Sequence, residues 1–305
     1  MVAAAQTMAL TLQYRAILKI IHAITRSDRN VPPAFFTALA NSLLKSDRAA
    51  AIDSFAEALR GADLTGVQVD TLLRASLSTF IGNEIPQHIL STFEEISGGG
   101  LHYSQEGEDV LLARILPSEE TGYFVDIGAH HPLRFSNTYA LYRKGWRGIN
   151  LDATPGSMEV FKKLRPEDIN IECAVSDADN PMTFHVFKEG ALNTFDASLA
   201  KEYVDSGWPL ECTVEIRPRT LSSILDEHLP AGKHIDLLNI DVEGEEMGVL
   251  RSNNWHSYRP DLIILEVLAT PFASLKTHPT VVYLADKGYE TESRLANSVL
   301  LRRQK

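Results

Sequence analysis

Basic residues are in short supply in this 305-residue chain, and cysteines are rarer still. Lysine and arginine together number 29 against 40 acidic residues, which leaves a formal net charge of −11. Such a chain has no general attraction for a phosphate backbone, so non-specific nucleic-acid binding is excluded. The two cysteines, Cys173 and Cys212, lie in no metal-type cluster and make no disulfide framework, which favours a reducing, cytoplasmic setting.

The first 24 residues lack a long apolar run. Gln13, Arg15, Lys19 and His22 interrupt the apolar residues there, so neither a membrane span nor a secretion signal is predicted. We therefore expect a soluble protein. Because this stretch is amphipathic, a peripheral membrane contact is the alternative.

The pattern of apolar residues changes near residue 97, in a chain longer than a typical single domain. From Leu10 onward, apolar residues recur three and four positions apart, which is the spacing of one helix face. Three glycines at 98–100 oppose both helix and strand and indicate a linker. We predict a helical accessory domain over residues 1–97, for oligomerisation, a lid or a partner contact, and a second domain over residues 98–305.

Strand-like and helix-like segments alternate in the second domain. Short apolar runs predict strands at 123–127, 148–152, 169–175, 235–240 and 262–267, and a final strand pair within 289–302. A β-rich insertion over the sheet is predicted near 182–216. This alternation predicts an α/β fold with a doubly wound sheet that carries one antiparallel edge strand.

The first two of these strands end in residues suited to a nucleoside. In an open α/β sheet the ligand lies beyond the carboxyl ends of the strands, where Asp126, Gly128 and Asp152 are found. Asp152 suits a ribose diol, and Gly128 lets the backbone pass close to a ligand. Gly128 stands alone, however, with His131 and Pro132 where further glycines would cradle a pyrophosphate. S-adenosylmethionine is therefore favoured over a dinucleotide such as NAD.

Acidic residues also end two later strands. Asp241 and Glu266 are expected to be neighbours about 5 Å apart across the sheet. They could share a divalent cation with Glu243, or Asp241 could remove a proton directly as a base. Glu243 could instead favour the N-terminus of the following helix. His130 and His131 are further base candidates, since imidazole titrates near neutral pH, and structural hydrogen bonding is the alternative for both.

Five separated motifs of the second domain together resemble the FkbM family of S-adenosylmethionine-dependent O-methyltransferases. They occupy residues 103–109, 125–132, 135–139, 145–152 and 239–244. The resemblance spans about residues 102–303 and does not cover the N-terminal helices. It implies a class I methyltransferase fold with a Rossmann-like sheet. It also implies methylation of a hydroxyl on a polysaccharide, a glycolipid, a nucleotide sugar or a glycosylated natural product.

The resemblance further implies a set of cofactor contacts. These are Gln105, Asp126, Gly128, Ala129 and Asn137 for the methionine part, Asp152 for the ribose, and Ser176 and Asp177 for the adenine. Acceptor loops are expected within 188–218, where Phe187, Phe195, Tyr203 and Trp208 could stack on a sugar or form local core. Two other functions remain open: a non-catalytic methyltransferase-like subunit that binds a partner, and an NAD-dependent dehydrogenase.

Overall fold

The structure is a computed structural model that describes residues 102–116, 121–268 and 270–304. The accessory domain predicted for residues 1–97, and the glycine linker after it, lie outside the described residues, so that division stays a prediction. None of the described helices combines the length and the apolar character that crossing a bilayer requires.

Nine strands and seven α-helices make up the described part of the chain. The strands are β1 Tyr123–Ile127, β2 Arg147–Asp152, β3 Ile169–Glu172, β4 Met182–Phe187, β5 Leu210–Ile216, β6 Leu237–Ile240, β7 Leu262–Glu266, β8 Tyr289–Arg294 and β9 Ser298–Arg303. The helices are α1 Glu108–Ile115, α2 Tyr139–Arg143, α3 Met158–Leu164, α4 Ala197–Asp205, α5 Leu221–His228, α6 Glu246–Arg251 and α7 Pro279–Asp286. Short 3-10 turns occupy Gly190–Leu192 and Phe272–Thr277.

Seven strands form one sheet in the order β3-β2-β1-β6-β7-β9-β8. The first five run parallel, and β9 is antiparallel to both β7 and β8. The order reverses between β1 and β6, so the carboxyl ends of these two strands flank the crevice in which such sheets bind ligands. The predicted doubly wound α/β fold is confirmed.

The reversed strand lies one position inside the sheet, rather than at its edge as the sequence predicted. In β9 the residues Ser298 to Leu301 are all buried, whereas Glu290, Thr291 and Glu292 of β8 are exposed. An apolar strand is stabilised by neighbours on both sides, and a charged strand protects an open edge from unwanted pairing. The hairpin therefore places its second strand inward.

Alternate residues of the central strands form two apolar layers, one on each face of the sheet. Val125 and Ile127 of β1 belong to the larger layer, together with Leu238 and Ile240 of β6. Phe124, which directly precedes Val125, lies in the smaller layer on the opposite face. All five residues of β1 are buried, which explains why a continuous apolar run predicted this strand correctly.

A buried polar network lies behind the carboxyl end of β1. Arg165 donates through Nε to Asp168 Oδ2 at 2.8 Å and through Nη1 to Thr138 Oγ1 at 3.0 Å, and the Arg165 and Asp168 side chains are both 0% exposed. Thr138 donates to Asp126 Oδ2 at 2.6 Å, and Asn239 donates to Asp126 Oδ1 at 2.8 Å. The network ties the segment after β1 to β6.

The predicted insertion forms a separate two-stranded antiparallel sheet of β4 and β5. Between these strands lies α4, whose first turn is capped by Asp196 through the N–H groups of Ser198 and Leu199. We refer to residues 182–216 as the insertion.

Candidate functional site

A cavity opens at the carboxyl edge of the sheet, between the ends of β1, β2 and β6 and the insertion. Its lining includes Gln105, Gly128, His130, Phe135, Asp152, Thr154, Val175, Phe184, Gly190, Asn193, Phe195, Asp241, Glu243 and Glu245. The wall thus combines an apolar side with a cluster of carboxylates. It lies where the strand order predicts a ligand.

Gly128 brings the ends of β1 and β6 into contact. Its φ is 78°, and a Cβ at this position would lie 1.6 Å from the backbone oxygen of Asp241. Its N–H donates to Leu151 O of β2 at 2.9 Å. The sequence predicted a close approach of backbone to ligand. The structure shows that the closest neighbour is the chain itself, and only glycine fits there.

The carboxylate of Asp152 is fixed in the cavity wall by two backbone donors. Its Oδ2 accepts from His130 N at 2.8 Å, its Oδ1 accepts from Thr154 N at 2.7 Å, and its residue exposure is 7%. Each carboxylate oxygen can accept a second hydrogen bond, so both remain able to bind a ribose diol. The two backbone donors fix the carboxylate before any ligand arrives.

Three predicted cofactor residues lie behind the cavity wall rather than in it. Asp126 is 2% exposed, and both its oxygens are bonded within the buried network, where burial raises its pKa. Asn137 donates to Asn239 Oδ1 at 2.9 Å, and Ser176 donates to Glu245 Oε1 at 2.6 Å. Of their partners, Glu245 lines the cavity.

Two more predicted contacts also lie away from the cavity. Ala129 is buried with Met158 and Phe161 in a small apolar cluster, and Asp177 is exposed to solvent. Of the eight cofactor residues implied by the resemblance, Gln105, Gly128 and Asp152 line the cavity.

The two adjacent histidines have different surroundings. His130 lines the cavity with φ 51°, and its ring stacks on Phe135 at a centroid distance of 6.2 Å. His131 Nδ1 accepts from Leu133 N at 3.1 Å and from Arg134 N at 3.0 Å. Burial lowers the pKa of His131 to about 3. Its lone pair is therefore engaged within the loop, and this geometry does not suit the base role predicted for His131.

The carboxylates predicted to meet at the sheet edge do meet there. One oxygen from each of Asp241, Glu243 and Glu266 lies within 4.8 Å of the others. Parallel pairing of Ile240 with Leu265 explains the proximity, because the next residues along the two strands are these acids.

The pKa values of this acid cluster are raised, first by burial and then by mutual repulsion. The pKa of Glu243 rises to about 7 and that of Glu266 to about 11, while that of Asp241 lies well above its ordinary value. Glu246 adds repulsion from the first turn of α6. The cluster therefore holds protons at neutral pH, with Glu243 the acid closest to half-ionisation.

We expect Glu243→Gln to flatten the pH dependence of stability. A carboxyl whose pKa is raised on folding stabilises the protein below its ordinary value of 4.5, and that contribution is lost as pH rises through about 7. From about pH 5 to about pH 8, the wild-type free energy of unfolding should therefore fall more than that of the variant, by on the order of 1–3 kcal/mol. Urea unfolding across this range measures the difference. Glu211→Gln, at an exposed carboxyl of β5, is the control and should follow the wild type.

The four aromatic residues considered for sugar stacking separate into different settings. Phe187 is buried and packs edge-on against Tyr203, with ring centroids 5.7 Å apart. Phe195 lines the cavity and packs against Phe184 at 4.5 Å. Trp208 is 46% exposed on the insertion. Phe195 and Trp208 thus keep surface that an acceptor can reach.

Several cavity residues could not be identified from the sequence. Asn193 donates to Thr154 Oγ1 at 2.9 Å and accepts from Phe187 N at 2.7 Å, which attaches the insertion to the loop after β2. Nothing local marks Asn193, because its importance comes from contacts with distant segments. His130, by contrast, was a base candidate from the sequence, and it does line the cavity.

A doubly wound sheet in this strand order, with one reversed strand near the edge and an acid at the tip of β2 facing a cavity, defines the class I methyltransferase fold. A family model described as the Methyltransferase FkbM domain matches residues 126–291. The chain belongs to this family of methyltransferases.

Three solved structures show more distant likeness. The FkbM methyltransferase of Methylobacillus flagellatus KT is 14% identical, covering 88% of this chain and 58% of its own, with a TM-score of 0.35. Precorrin-6y C5,15-methyltransferase of Geobacter metallireducens GS-15 is 14% identical, covering 64% and 84%, with a TM-score of 0.32. An N,N-8-amino-8-demethyl-D-riboflavin dimethyltransferase of Streptomyces davawensis is 13% identical, covering 89% and 69%, with a TM-score of 0.33. No curated protein matches the chain.

Proposed function

We propose that this methyltransferase uses S-adenosylmethionine to methylate a hydroxyl of a carbohydrate, either in a polysaccharide, a glycolipid or a nucleotide sugar or on a glycosylated natural product. The observation that supports it is a single cavity lined by both the acceptor pair of Asp152 and the carboxylates Asp241 and Glu243. The acceptor pair of Asp152 suits the two hydroxyls of a ribose. The carboxylates of Asp241 and Glu243 suit a positively charged sulfonium and a hydroxyl that must lose a proton.

The chain's own residues would bind the donor and receive the acceptor's proton. When bound, S-adenosylmethionine supplies a methyl group whose bond to sulfur breaks as the bond to the acceptor oxygen forms. Glu243 is the better proton acceptor, because its pKa of about 7 lies near neutral pH. Burial raises the pKa of Asp241, the base predicted from the sequence, well above its ordinary value, so this buried carboxyl favours its protonated form.

A divalent cation is the second candidate for the acid cluster. Oxygen ligands from Asp241, Glu243 and Glu266 suit Mg²⁺, which would lower the pKa of a bound hydroxyl. Such an ion would have to displace the protons that the cluster holds. Calorimetry with Mg²⁺ in buffers of different ionisation enthalpy separates the two: a heat that depends on the buffer supports the ion, and no binding supports the metal-free route.

We expect Asp152→Ala to weaken S-adenosylmethionine binding by at least about 100-fold, since each hydrogen bond to a charged group contributes about 1.5–3 kcal/mol. Isothermal titration calorimetry measures the dissociation constant. Asp177→Ala is the matched control, because Asp177 is exposed and lies outside the cavity lining. Undiminished binding by Asp152→Ala would remove the ribose role from this residue.

Two further measurements test the class of reaction. Thermal shifts with S-adenosylmethionine and with NAD compare the methyltransferase with the dehydrogenase alternative. Transfer of a labelled methyl group to glycan and nucleotide-sugar pools then tests the acceptor. Cofactor binding without transfer to any pool would favour the non-catalytic subunit.

We also propose cytoplasmic action and a carbohydrate acceptor as the main partner, with self-association through the N-terminal helices as a further proposal. Two free cysteines, of which Cys173 is partly buried and Cys212 exposed, support the reducing setting.

A further inference from the structure

The insertion makes two hydrogen bonds to the turn after β6 and packs close to Gly244. Thr194 Oγ1 donates to the backbone oxygen of Glu243 at 2.5 Å. Tyr203 donates through its hydroxyl to Glu243 Oε2 at 3.1 Å. Beside them, a Cβ added to Gly244 would lie 3.2 Å from Asp196 Cβ. Both the backbone oxygen and the side chain of Glu243 are therefore hydrogen-bonded to the insertion.

The turn that these bonds hold has an unfavourable backbone conformation, and Glu246 Oε1 also accepts from the N–H groups of Val242 and Gly244 in it. Glu243 has φ 50°, a left-handed conformation that costs a non-glycine residue about 1–2 kcal/mol, and Gly244 follows with φ 107°. The groups facing the Glu243 carboxylate are acidic: Asp241 at the end of β6, Glu266 at the end of β7 and Glu246 in α6. Tyr203 supplies the hydrogen-bond donor among these acids.

The hydroxyl of Tyr203 has a role that packing does not explain. The ring already has a place against Phe187, and phenylalanine would fill that place equally well. Burial raises the pKa of Tyr203, so the hydroxyl keeps its proton and remains a donor at neutral pH. A tyrosine at this position is therefore best explained by the carboxylate that it contacts.

We propose that Tyr203 and Thr194 are positioning residues through which the seated insertion sets Glu243 in the cofactor cavity. The cavity is complete only when this contact is made, so the insertion takes part in cofactor binding as well as in covering the sheet. The inference rests on the proposed function in one respect, namely that S-adenosylmethionine is the ligand. Its affinity then depends on where the Glu243 carboxylate lies relative to its positive charge.

A double-mutant cycle tests the proposal, with S-adenosylmethionine as the probe. Tyr203→Phe and Glu243→Gln should each weaken binding by about five-fold, the net effect of one hydrogen bond or one partly screened charge. The double variant should bind no more weakly than Glu243→Gln alone, because the hydroxyl acts through that carboxylate. Tyr142→Phe is the matched control, since it also removes a hydroxyl bonded to a glutamate, Glu167, at 3.3 Å but outside the cavity lining.

Wild-type affinity in Tyr203→Phe, or an equal loss with and without Glu243, would overturn the proposal. If the wild type folds but binds no S-adenosylmethionine, the proposed function fails instead. In that case the same four proteins are compared by urea unfolding. Coupling between the two substitutions supports the positioning contact, and additive effects refute it.

Discussion

A Gly128→Ala variant is expected to lose S-adenosylmethionine binding by at least about 100-fold and to unfold more readily by about 3 kcal/mol or more. The added Cβ would overlap the backbone oxygen of Asp241 at 1.6 Å, and neither strand end can yield while the other holds its pairing. The clash would push β1 and β6 apart at the cavity floor. Calorimetric titration and thermal melting measure the two effects.

Gly156→Ala is the matched control for this variant. Gly156 has φ 79°, almost the same as the 78° of Gly128, but nothing lies within 4 Å of its added Cβ. In this control the alanine adds only the conformational strain of a positive φ, about 1 kcal/mol, so the variant should keep its affinity for the cofactor. Equal losses in both variants would show that strain, and not overlap with Asp241, limits position 128.

Arg165→Met is expected to cost about 3–5 kcal/mol of unfolding free energy, because it leaves the carboxylate of Asp168 buried without its cation. Both side chains are fully buried, and Arg165 also stacks near the Phe124 ring at 5.1 Å. The same substitution at Lys162, whose pair with Glu159 is exposed and screened by solvent, should cost far less. Urea unfolding measures both.

The double variant Arg165→Met with Asp168→Asn provides the second check on this ion pair. Removing both charges should restore part of the stability that either change removes, since no lone charge stays buried. If the two losses simply add, the pair contributes no more than its packing. Because the network passes through Thr138 to Asp126, the variants also report how firmly the end of β1 is held.

The strands were predictable because a strand that is buried on both faces of a parallel sheet is a nearly continuous run of apolar residues. Four of the five residues of β1 are apolar, and in the parallel pair of β6 and β7 the last residues, Ile240 and Leu265, are register partners. That register alone places Asp241 beside Glu266. Asp152 was likewise predictable, as the acid that ends the second strand.

Side-chain direction beyond a strand end was not predictable. Asp126 is still within β1 and points into the buried network, whereas Gly128, two residues later, reaches the cavity. The difference depends on the partners Thr138 and Asn239, which come from other segments. The contacts of the insertion with Glu243 could not be predicted for the same reason, since Tyr203 lies 40 residues from Glu243 in the chain.

The inward position of β9 has a consequence for synthesis on the ribosome. Residues 298–303 are made after every other strand of the sheet, yet they fill the gap between β7 and β8. Until residues 298–303 have been made, the apolar strand β7 has an unpaired edge, and this edge can pair with strands of other nascent chains. The sheet is thus completed only when its last strand has been made, and shielding by chaperones is needed most in the interval before that.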